Sequence, residues 1–149
     1  MRALRTVVGS MLMAATLGAC AVFAPAYDPT LASETNTAYQ GVSQILASAQ
    51  LGAYADPSSY SGAQAQYVNV TAALSIAAAR AGAEPVAARG TGEQARDKLV
   101  GLIQGCRSQV LALAQVHQRR GIPNDAGFIQ PVQVACDEAS RAVTAMQNH

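Results

Sequence analysis

Two Asp-Pro pairs, Asp28-Pro29 and Asp56-Pro57, each stand directly before a run of apolar residues spaced by threes and fours. An aspartate can accept from the unpaired N–H groups of a first helical turn, and a proline there gives up no hydrogen bond. The pairs therefore predict two helix starts. After the first, Leu31, Thr35, Ala38, Val42, Ile45 and Ala49 make one stripe that Gly52 ends. After the second, Tyr60, Ala63, Tyr67, Val70, Leu74, Ala77 and Ala81 run on to Gly82 and Pro85.

Residues 82–92, broken by Gly82, Pro85, Gly90 and Gly92, read as the longest connection. Thr91 and Gln94 then form a capping-box pattern, and a third stripe takes in Ala95, Leu99, Leu102, Cys106, Val110, Leu113 and Val116. Arg119, Arg120 and Gly121 suit the negative end of that helix. A fourth helix carries Val132, Cys136, Ala139, Val143 and Met146 inward. Pro131 fits a first turn but not a helix interior, which sets the expected start near Gln130. The expectation is an all-α domain over residues 28–149, a single antiparallel four-helix bundle in up-down-up-down order.

The chain opens differently. Arg2 and Arg5 precede an uncharged apolar stretch, Thr6 to Leu17, which closes on Leu17-Gly18-Ala19-Cys20. Twelve helical residues rise only about 18 Å, short of the roughly 30 Å of a bilayer's hydrocarbon, and Pro25 opposes continuation into a spanning anchor. This pattern of basic start, short apolar core and small residues before a cysteine resembles the signal peptide and lipobox of bacterial lipoproteins. The resemblance implies cleavage of residues 1–19, a diacylglyceride on Cys20 and a further fatty acyl chain such as palmitate. It also implies a short tether over 20–27. Ala21, in place of an aspartate, implies sorting to the outer membrane facing the periplasm. Several acyl chains at about 0.8 kcal/mol per buried methylene make such an anchor stable.

Taking away residues 1–19 removes two of the ten Lys and Arg, leaving eight against nine Asp and Glu. With no basic cluster, nucleic acid is not an expected partner. Cys106 and Cys136 form the one pair of cysteines beyond Cys20, both on predicted inward stripes. In an exported protein they are expected to join as a disulfide closing a loop of about 30 residues, contributing about 3 kcal/mol.

Catalytic and cofactor signatures are missing from the sequence. No Cys-x-x-Cys-His, Glu-x-x-His or Gly-x-Ser-x-Gly occurs, and Asp137 and Glu138 point apart on a helix. No cofactor, no metal and no enzymatic activity are expected. His117 reads as a helix-end cation or surface residue, and His149 ends the chain. From Thr35 to Ala79 the only charged residue in 45 positions is Asp56. A helical hairpin so poor in charge suits a docking face, with Gln44 and Gln66 as outward positions and Tyr39 and Tyr67 at similar heights.

These readings point to a non-enzymatic, lipid-anchored envelope module with a protein partner. In architecture alone it is similar to the secretion pilotins. The competing expectation is a periplasmic binder of a small apolar ligand within the bundle core. The address is directly testable: Cys20→Ser should abolish incorporation of labelled palmitate and release the protein from the membrane fraction. Undiminished labelling of that variant would contradict lipidation at Cys20.

Overall fold

The computed structural model of the protein describes residues 28–86, 91–124 and 126–146; Cys20 and the expected signal peptide and tether lie outside the described residues. Four helices follow one another: α1 (Pro29–Gln50), α2 (Tyr60–Ala83), α3 (Thr91–Arg120) and α4 (Ala126–Met146). A single 3-10 turn, Pro57–Ser59, precedes α2. The described residues contain no strand. α1 packs on α2 and α4, and α3 packs on α2 and α4, so the four helices surround one core.

Both Asp-Pro starts work as the residues dictate. Asp28 Oδ1 accepts from Thr30 N at 2.8 Å, and Asp56 Oδ1 from Ser58 N at 2.7 Å. The second start first makes the 3-10 turn and becomes α-helical only at Tyr60. At the far end of α1, Gly52 takes φ +78°, where a side chain would be strained. Its N–H then reaches Ala49 O and that of Ala53 reaches Ser48 O, satisfying carbonyls the helix leaves open.

Every stripe residue expected in α1 is buried, as are those of α2 except the half-buried Tyr60. Leu31, Ile45, Leu74, Ile103 and Val110 are among the fully buried side chains. Each such burial removes roughly 1.5–3 kcal/mol of apolar exposure from water. Gly41 lets α1 come close to α2, because a Cβ there would stand 2.5 Å from Val70 Cγ2. By length and composition α3 could cross a membrane; here its apolar stripe packs on α2 and α4.

Two parts of the sequence reading are corrected. The α3 stripe is Leu99, Ile103, Cys106, Val110, Leu113 and His117, while Ala95 is exposed and Leu102 and Val116 are half-buried. The observed set keeps strict alternation of four and three, and so holds one face along the whole helix. α4 begins at Ala126, placing Pro131 inside it. So near the start a proline removes only one intrahelical bond, and the extra turn buries Ile129 at 4% exposure. Val132, Cys136, Ala139 and Val143 face inward as expected. The side chains of Met146 and Thr91 lie outside the described residues, so the capping box does too.

Cys106 and Cys136 lie at disulfide distance, with sulfurs 2.08 Å and Cα atoms 4.5 Å apart. Both are buried, so the link ties α3 to α4 in the middle of the core. Peptide mapping of the protein isolated without reductant should recover one linked pair, and reduction should lower stability by about 3 kcal/mol. Two thiols alkylated at once in native protein would count against the bond.

Candidate functional site

His117 is the largest departure from the sequence reading: it is 0% exposed, in the last turn of α3. Three tyrosine rings surround it. Tyr54, from the α1–α2 connection, stacks at 4.4 Å between centroids, and Tyr60 and Tyr67 of α2 present edges at 5.5 and 5.8 Å. Both ring nitrogens are used. Nε2 lies 2.8 Å from Ser59 Oγ and Nδ1 lies 3.2 Å from the Tyr67 hydroxyl.

The protons can be assigned by following the bonds. Ser59 donates its hydroxyl proton to Asp56 O, so it must accept at its oxygen from His117 Nε2–H. Nδ1 is then the bare nitrogen, and the Tyr67 hydroxyl donates to it. Burial raises the Tyr67 phenol far above its ordinary range, which keeps that proton in place. Burial lowers the His117 pKa from 6.5, favouring the neutral ring this network needs.

The same bookkeeping bears on catalysis. A serine activated by histidine donates its proton to the imidazole; Ser59 donates to a backbone carbonyl and receives from the ring. In this arrangement the cluster ties the end of α3 to the 3-10 turn and to α2. Its neighbours extend it: Ile122 N donates to Tyr54 O at 2.6 Å, and Gly121, at φ +76°, lies against Ala55. A Cβ on Gly121 would stand 2.1 Å from Ala55 O, so only glycine fits there. Among the described residues no three His, Cys, Asp or Glu side chains gather as a metal site.

The second candidate region is the outer side of α1 and α2. A groove of about 510 Å³ runs between them, lined by Gln40, Gln44, Gln66, Asn69 and small residues including Gly41 and Gly62, with no charged side chain. Gln44 is exposed, but Gln66 is half-buried and tied on both sides. Its Nε2 donates to Gln44 Oε1 at 3.1 Å, and its Oε1 accepts from the Tyr54 hydroxyl at 3.2 Å. The two amides thus bridge the helices, which corrects the view of Gln66 as a simple outward position. Tyr39 and Tyr67 do not meet. Tyr39 donates to Asp137 of α4, whose carboxylate holds the phenol above its usual range, whereas Tyr67 serves His117.

Compared with known proteins, the chain matches no family model, no curated protein and no solved structure.

The His117 assignment carries a pH signature. The unfolded chain takes up a proton near 6.5 and the folded chain only at lower pH. Stability is thus complete above about 6.5 and is lost as pH falls from there through the folded value. His117→Phe keeps an aromatic ring but strands the buried Tyr67 hydroxyl, and should cost about 1–3 kcal/mol at neutral pH. Denaturant titrations between about pH 7.5 and 5 should show the variant losing less stability on acidification than the parent. Parallel pH curves for the two would refute a buried neutral histidine.

Proposed function

We propose that the chain is a non-enzymatic lipoprotein, held by lipid on Cys20 in the outer membrane and facing the periplasm, whose helical domain docks an envelope protein on the α1–α2 side. One observation carries the reading: the α1–α2 groove is lined wholly by uncharged amides, hydroxyls and small apolar groups. Depletion of charge marks the centre of protein interfaces, and amides that both donate and accept can pair with a partner's backbone. The leader motif supports the address. The wiring of Ser59 and His117 supports a binding role over a hydrolytic one.

The up-down-up-down order belongs to the same proposal. Its support is a set of pairings that run in opposite senses along neighbouring helices. Arg80 of α2 reaches Asp28 and Glu34 near the start of α1, while Gln66 meets Gln44 further along it. Such an arrangement sets α1 and α2 side by side as one continuous face. The competing apolar-ligand reading has less support, because Leu31, Ile45, Leu74 and Ile103 fill the core centre.

Gln40 and Asn69 are exposed and test the face better than the bridged Gln44 and Gln66. A photo-crosslinking side chain at Asn69 should give one discrete adduct with another protein in intact cells, and one at Gln109 of α3 should give none. Gln40→Lys should weaken the Asn69 adduct while changing stability by less than about 0.5 kcal/mol. Equal adducts from Asn69 and Gln109 would remove the docking reading.

A further inference from the structure

α2 is apolar on two opposite sides. Its inward stripe, Ala63, Tyr67, Val70, Leu74, Ala77 and Ala81, is buried in the core. Turned away from it stand Ala65, Val68, Ala72, Ile76 and Ala79, all exposed. Val68 and Ile76 are 56% and 54% exposed, two of the few large apolar side chains open to water. A helix apolar on both sides ordinarily has protein on both sides.

The spacing of the outer stripe says what fits against it. Its steps of three, four, four and three residues keep the five side chains on one face over about 21 Å of helix. Counted from Ala72, they lie at minus seven, minus four, zero, plus four and plus seven. The order of sizes is also symmetric: small, large, small, large, small. Laid against a second copy of itself in the reverse direction, the stripe places Ala72 opposite Ala72, Val68 opposite Ile76 and Ala65 opposite Ala79. Every position then meets one of its own size class. Alanines at the centre and both ends let two backbones approach closely, while Val68 and Ile76 fill the spaces between.

The stripe is uncharged, so nothing electrostatic opposes the pairing. The only charged side chain in α2 is Arg80, which is engaged by Asp28 and Glu34 of its own chain. Ser61, Gln64 and Ser75 flank the stripe, so two copies can meet with no like charges opposed. We infer that α2 is a homodimer seam, in which the outer stripe pairs with that of a second copy about a two-fold axis at Ala72. An isologous contact of this kind needs one patch that complements itself, which the stripe provides. Ala65 stands at the edge of the α1–α2 groove, but Val68, Ala72, Ile76 and Ala79 lie outside it, so the axis at Ala72 does not rest on the docking proposal.

The register is testable by cysteine placement in the full-length chain, with a short bismaleimide added to whole cells and detection of the anchored protein. Ala72→Cys should yield a covalent dimer at several-fold the level given by Gln109→Cys, which sits on the exposed side of α3. Ala65→Cys alone should stay near that control level, but co-expression of Ala65→Cys with Ala79→Cys should restore the dimer. Ala72→Glu, added to the Ala65→Cys and Ala79→Cys pair, should lose it by opposing two carboxylates at the axis. Two outcomes overturn the seam: Ala72→Cys linking no better than Gln109→Cys, or Ala65→Cys linking to itself as well as Ala72→Cys does, which marks a parallel pairing. Ala72 does not line the groove that holds Asn69, so the Ala72→Cys dimer reads the seam apart from any groove partner, and failure of either proposal can be told from failure of the other.

Discussion

The neutral imidazole of His117 fixes the relative placement of parts of the chain that apolar packing alone would hold without a set orientation. With Nε2–H given to Ser59 and Nδ1 receiving from Tyr67, one ring ties the end of α3 to the 3-10 turn and to α2. Tyr54 closes over the ring and brings the α1–α2 connection with it. A buried polar group without partners costs about 1–3 kcal/mol, so each of these hydroxyls must be where it is for the histidine to be tolerated inside. The network fixes a geometry that the alanine-rich helices, whose small side chains interlock weakly, leave loosely specified.

The extent to which the fold was legible differs among the helices for physical reasons. α1 was readable in its bounds and stripe because Asp28 caps it and Gly52 ends it, although burial also takes in Ala32 and Leu46 beside the stripe. α3 was readable at Leu99, Cys106, Val110 and Leu113 but not at the other steps of its stripe. Leu102 and Ile103 are adjacent and equally apolar, and choosing Leu102 and Val116 turned the stripe away from His117. The alternation Val110, Leu113, His117 carried the signal, but hydropathy assigns a histidine to the surface. α4 was read short because proline was weighed as a stop, whereas burial of Ile129 carries the helix back to Ala126.

The site divides along the same line. Cys106 and Cys136 could be paired in advance because both fell on inward stripes of helices expected to be neighbours. The tyrosine partners could not, since a hydroxyl's choice depends on distant elements: Tyr39 finds Asp137, 98 residues on, and Tyr67 finds His117, 50 residues on. The scarcity of charge between Thr35 and Ala79 was plain in the sequence. That it covers both a groove beside α1 and an outward stripe on α2 needed the helix rotations.

Tyr54 joins the His117 cluster to the face, because each of its parts has a separate use. Its ring lies on His117, its carbonyl accepts from Ile122 N, and its hydroxyl donates to Gln66, which in turn reaches Gln44. The amide bridge between α1 and α2 therefore ends on the same residue that covers the buried imidazole. Displacing Tyr54 would open the histidine to water and release one end of the bridge together. The uncharged face is thus joined, through Tyr54, to the buried ring of His117.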